Sequence, residues 1–113
     1  PIFYPFLVSM SKAELIQIAK VLCEYFVSNW DKYRANIHNP NIIKITPTNI
    51  KDALREKFPI ETSLREQRAK TIIYPWLSEF MKKEFEERGF RVEKRVVKNG
   101  KRSKYSILYV YKQ

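Results

Sequence analysis

The sequence predicts an α+β domain, and three observations carry that prediction. Apolar residues recur at helical spacing in three separate stretches, each with its own start or stop signal. A short β-branched run, Ile42-Ile43-Lys44-Ile45, sits between the first two. Residues 90–111 alternate about Asn99-Gly100, a dipeptide suited to the positive φ angles of a type I′ hairpin turn.

The first helix is opened by the capping box Ser11-Lys12-Ala13-Glu14. Leu15, Ile18, Ala19, Leu22, Phe26 and Trp30 then form its apolar stripe and carry it to about Tyr33 or Ala35, roughly 23 residues. The polar segment Asn36 to Asn41 breaks it, and the brief strand follows. Thr46 is an N-cap with Pro47 at the first helical position of the second helix. That helix turns Ile50, Ala53, Leu54 and Phe58 inward and stops at Pro59. Lys51, Asp52, Arg55 and Glu56 give it a mixed surface, that of a supporting helix. A second capping box, Ser63-Leu64-Arg65-Glu66, opens the third helix. Its stripe is Ala69, Ile72, Ile73, Trp76, Leu77 and Phe80, reaching Phe85. Pro75 lies within it and either kinks it or starts a second helical piece. Gly89 ends it, since a glycine past the last turn accepts the left-handed conformation of a helix stop. With Trp76 in the core, its truncation to alanine is expected to cost about 3–5 kcal/mol.

The two-residue turn sets a register that pairs Lys98 with Lys101, Arg95 with Lys104, Val92 with Ile107 and Phe90 with Tyr109. Phe90, Val92, Ile107 and Tyr109 would then share the face packed on the helices. Arg95, Lys98, Lys101, Arg102 and Lys104 would cluster at the exposed tip. Between Arg91 and Lys104 there are seven Lys or Arg and a single acid, a net +6 in fourteen residues against +10 for the whole chain. Like charges opposite one another weaken a hairpin, so charge this dense points to an anionic partner, phosphate above all. Lysines also keep edge hairpins soluble, but lysine alone or mixed charge would serve that end equally.

At 113 residues the chain makes one domain, 11–113, preceded by an apolar N-terminal arm, 1–10. A pI near 9.8 attracts polyanions. The one cysteine, Cys23, precludes an internal disulfide and reads as a core residue. With the lone His38 it makes no zinc site of ordinary type, so neither metal nor cofactor is expected. No apolar run approaches the roughly 20 residues of a membrane span. The arm has no basic n-region or small-residue cleavage site, so an intracellular protein is expected. Catalysis is not expected either: there is no Gly-rich phosphate loop, no G-x-S-x-G and no H-E-x-x-H. Pro1 at this chain length is similar to the tautomerase superfamily, where an N-terminal proline is the general base. Pro5 interrupts the strand that should follow, and paired βαβ units are missing.

The order helix, short strand, helix, turn, helix, strand, wing, strand resembles the winged helix-turn-helix family over about residues 11 to 111. Two features depart from its pattern: the long third helix with an internal proline, and the apolar arm. The resemblance implies that the third helix enters the DNA major groove while the wing touches the backbone or minor groove. Carried over, the groove-facing residues are Arg65, Gln67, Arg68, Lys70, Thr71 and Tyr74, types that bond guanine and adenine edges or contact a methyl group. The wing residues are Arg95, Lys98, Lys101, Arg102 and Lys104. It further implies binding to double-stranded DNA without a cofactor, as a transcriptional regulator or a small replication or genome-maintenance factor. A homodimer through the arm and the long first helix fits this family.

Two other functions remain open. The domain is alternatively a winged-helix protein-interaction module of a larger assembly, for which the apolar arm speaks. Or it binds RNA or single strands through Tyr105, Tyr109 and Tyr111 of the last strand, residues that also serve as half-buried packing. If the wing grips phosphate, Lys101→Ala with Arg102→Ala will weaken binding to all duplexes alike and reduce the salt slope by about two, measured by titration at several salt concentrations.

Overall fold

A computed structural model describes residues 12–58, 74–100 and 103–113. Within these it is α+β, with three α-helices and a four-stranded antiparallel sheet. Helix α1 spans Lys12–Ser28 and is followed by a 3-10 turn, Trp30–Tyr33. Strands β1 (Arg34–Asn36) and β2 (Asn39–Ile45) come next, then α2 (Pro47–Lys57), α3 (Tyr74–Glu87), β3 (Arg91–Asn99) and β4 (Ser103–Tyr111). The order across the sheet is β1-β2-β4-β3. No described helix is long and apolar enough to cross a membrane.

Several local expectations hold. Thr46 caps α2 with its hydroxyl accepting from the Asn49 N–H, Asn49 returns a bond to the Thr46 N–H, and Pro47 follows at the helix start. Gly89, with φ of +93°, ends α3. Its N–H donates to the Glu86 carbonyl, the Phe90 N–H donates to the Phe85 carbonyl, and the Phe85 and Phe90 rings meet edge-on at 5.8 Å. That is the Schellman stop with its apolar contact. Cys23 is fully buried and its Sγ–H donates to the Met81 carbonyl, joining α1 to α3. Burial pushes its thiol pKa well up, so it stays protonated.

Other expectations are corrected. The first helix stops at Ser28, not near Tyr33 or Ala35: the backbone tightens so that Trp30 and Tyr33 reach the core from a 3-10 turn. This shortens the helix on which the dimer expectation leaned. The polar segment after it is a hairpin. Asn36 pairs with Asn39 across Ile37-His38, and the Asn36 side chain accepts from the His38 N–H. Strand β1 is exposed throughout, so no alternation announces it. The Trp30 indole N–H donates to the Pro40 carbonyl at 2.7 Å, and its ring stacks on Phe90 at 5.6 Å. The segment read as a break is thereby tied to the core.

Ser11, the capping box at Ser63 and the first part of the expected third helix lie outside the described residues. The described part begins at Tyr74, with Pro75 in the first turn, where a missing N–H leaves no bond unmade. Trp76 is not a core residue. It is 59% exposed, with one face on Phe80, while Leu77, Met81 and Phe85 are fully buried. The core stripe of α3 therefore runs through Met81, four residues beyond Leu77 on the wheel.

The core lies between the helices and one face of the sheet. Ile43 and Ile45 of β2, Leu108 and Val110 of β4 and Val92 of β3 meet Leu22 and Phe26 of α1, Leu54 of α2 and the α3 stripe. Met81→Ala should cost about 2–5 kcal/mol and Trp76→Ala less than about 1 kcal/mol. Denaturant unfolding of the two variants checks this.

Candidate nucleic-acid interface

The hairpin register differs from that of a two-residue turn. Asn99 pairs with Ser103, Lys98 with Lys104, Arg95 with Ile107 and Val92 with Val110. Gly100, with φ of +75°, begins a three-residue connection through Lys101 and Arg102. The glycine serves positive φ as expected, but the loop is one residue longer. Because the offset is odd, the partners on the two faces of β4 are exchanged. Leu108 and Val110 face the helices in place of Ile107 and Tyr109.

The inner face, beneath the helices, carries Val92, Lys94, Val96 and Lys98 on β3. Lys94 reaches Glu79 of α3 as a hydrogen-bonded ion pair. That bond, against a smaller opposing desolvation, holds the Glu79 carboxyl below the usual range. Val96, two residues further, is 62% exposed. Strand β2 pairs with β4 only along Leu108 to Tyr111. From Arg95 and Ile107 outward the hairpin is therefore a two-stranded ribbon projecting past its third neighbour. Its far end exposes Lys98 and Lys104 directly opposite each other. Glu93 is the last acid in the chain, and seven Lys or Arg follow it.

The outer face carries Arg91, Glu93, Arg95 and Val97 opposite Tyr111, Tyr109, Ile107 and Tyr105. Lys44 of β2 adds a cation opposite Tyr109. The Arg91 guanidinium lies 4.0 Å from the Tyr111 ring centre and that of Arg95 lies 4.6 Å from the Tyr109 ring centre. Glu93 stands between them and accepts from both, at 3.1 and 3.3 Å. Desolvation raises its pKa, but hydrogen bonds from Arg95, Tyr111 and Arg91 outweigh this and lower it. Ile107 also belongs to this face, yet it is buried.

Of the residues expected to contact nucleic acid, Arg65, Gln67, Arg68, Lys70, Thr71, Lys101 and Arg102 lie outside the described residues. Tyr74 is the first residue of α3, and only its backbone is described. Arg95, Lys98 and Lys104 are exposed on the ribbon. Lys98 and Lys104 are brought together, whereas Arg95 lies on the opposite face. Sequence reasoning missed the Arg91–Tyr111 and Arg95–Tyr109 stacks and the Glu93 link. Their signal was the odd-numbered alternation Arg91, Glu93, Arg95, legible only with the true register. No group of His, Cys, Asp or Glu suited to a metal occurs among the described residues.

Compared with models of protein families, with curated proteins and with solved structures, the chain finds no match. Its function is therefore argued from its own geometry.

The Glu79–Lys94 pair fixes the root of the ribbon to α3. A carboxyl whose folded pKa is depressed stabilises above its unfolded pKa, and loses that contribution as pH falls through the folded value. Glu79→Gln should thus lower stability by up to about 1 kcal/mol at pH 7, the pair being partly exposed. The difference should shrink toward zero as pH falls through the folded value, since both then carry a neutral side chain. Urea titrations across a pH series measure it.

Proposed function

We propose that the chain binds double-stranded DNA as a winged-helix protein, with the β3–β4 ribbon as its wing. The observation that carries this is the projecting two-stranded ribbon, its free end lysine-rich and without an acid beyond Glu93. A two-stranded ribbon fits a DNA groove in width. Opposed Lys98 and Lys104 repel each other in the free protein, and phosphate between them relieves that repulsion. The connectivity supports the same reading: a strand between the first two helices, β2, borders the final strand, and a helix leads straight into the hairpin. Strand β1 is an addition to the winged-helix order. In this reading Arg65, Gln67, Arg68, Lys70, Thr71 and Tyr74 supply base contacts, and Arg95, Lys98, Lys101, Arg102 and Lys104 supply phosphate contacts. A role in transcription, replication or genome maintenance rests on that binding.

A second reading, a protein-interaction module, draws on Trp76 and Val96, large apolar side chains left exposed on the helix side of the molecule. It requires weak DNA binding.

Fluorescence anisotropy of a labelled random 30-base-pair duplex at 50 and 200 mM salt separates the two. Duplex binding predicts micromolar affinity at 50 mM that drops by two orders of magnitude or more at 200 mM, given about five phosphate contacts. Lys98→Ala with Lys104→Ala should reduce the salt slope by about two. No binding at 50 mM overturns the proposal.

A further inference from the structure

We infer that the outer face of the sheet is a second DNA-contacting surface, one that takes an unpaired strand by stacking its bases on Tyr105 and on the arginines laid over the Tyr109 and Tyr111 rings. The inference deepens the DNA-binding reading, since both surfaces belong to the same two strands.

The outer face differs in kind from the ribbon tip. A sheet face that only met water needs no rings, yet β4 places Tyr105, Tyr109 and Tyr111 there. Tyr105 is 37% exposed, and no described cation covers it. The Tyr109 and Tyr111 rings carry Arg95 and Arg91 at stacking distance. A guanidinium held over an aromatic ring keeps part of its surface toward solvent, and bases stack on guanidinium planes as they do on aromatic rings. Glu93 anchors both arginines, which lowers the entropy lost when a base settles on them. Their ion pairs with Glu93 are exposed and individually weak, so a phosphate competes readily for the outer N–H groups.

Charge and spacing agree with this occupant. Lys44, Arg91 and Arg95 outnumber Glu93 on the face, leaving it cationic. Tyr105 and Tyr109 are four residues apart on one strand, about 13–14 Å at a rise of about 3.4 Å per residue. Bases that settle at both places are therefore drawn apart from one another, which a duplex does not offer. A duplex exposes its phosphates to lysines but keeps its base faces covered.

The test compares a labelled (dT)20 strand with a 20-base-pair duplex, by anisotropy at 50 mM salt, for five proteins. The parent should bind both. Tyr105→Ser with Tyr109→Leu should bind the single strand at least tenfold more weakly and the duplex within twofold of the parent. Tyr105→Phe, which keeps a stacking ring, should bind (dT)20 like the parent. Lys98→Ala with Lys104→Ala should weaken both ligands. Tyr105→Ser alone, at an exposed position, should still cost (dT)20 about threefold or more, so loss of fold does not decide the outcome. Parent binding to the duplex but not to (dT)20 overturns this inference alone. Equal loss of both ligands in the tyrosine variant, or no loss of either, overturns it as well. Absence of binding to either ligand by the parent overturns the duplex reading and this one together. Tenfold tighter binding of (U)20 than of (dT)20 overturns the choice of DNA as the strand.

Discussion

The pairing of β4 with β2 on one side and β3 on the other is the constraint on which the rest depends. Strand β4 is the last in the chain, and its β2 neighbour comes from between the first two helices, so the sheet closes the two ends of the domain on each other. Its alternation assigns Leu108 and Val110 to the core and Tyr109 and Tyr111 to the outer face. A slip of one residue would bury two tyrosines and expose two aliphatic side chains, a cost of several kcal/mol from apolar area alone. That penalty holds the register, and the register decides which surface is aromatic and which is lysine-rich.

Contacts around the sheet reinforce this arrangement from the helical side. The Schellman stop at Gly89 directs the chain out of α3 at a fixed angle, with Phe85 and Phe90 locking the turn. Phe90 in turn stacks on Trp30, whose indole holds the carbonyl of Pro40. The end of α3, the 3-10 turn and the β1–β2 hairpin are thereby one aromatic unit. Arg88, just past the end of α3, adds ion pairs to Glu84 of α3 and to Glu24 of α1. Among the described residues, the opposite end of the hairpin has the Lys94–Glu79 bridge as its side-chain tie to the helices, and beyond it the ribbon extends past β2. In the proposed DNA-binding reading, the root sets direction while the exposed Lys98 and Lys104 adapt to the groove.

The two faces of the hairpin divide the chemistry between them. Lysine at the tip is a hydrated point charge on a flexible stem, suited to phosphates in any sequence. Arginine on the outer face is planar and lies over tyrosine, a type of group suited to flat ligands. The same strands thus carry a lysine-bearing face and an arginine–tyrosine face, separated by the pleat.

Much of the fold was legible in the sequence. The Thr46-Pro47 start, the Gly89 stop, the burial of Cys23 and the hairpin with positive φ at Gly100 are all local, dictated by backbone sterics and short-range hydrogen bonds. So was the concentration of positive charge after Glu93, which no folding can alter. Only the tertiary structure decided the rest. Trp76 was read inward because a helical wheel gives a face but not its width, and packing against α1 selected Met81 instead. Strand β1 was invisible because its residues are exposed and its partner is supplied by β2. The register slipped from the two-residue turn because burial of Val92, Leu108 and Val110 under the helices outweighs the preference of Asn-Gly for a tight turn. That choice separated Arg95 from Lys98 and Lys104 and set it over Tyr109: local sequence determined that a basic hairpin exists, and core packing determined which way each of its side chains points.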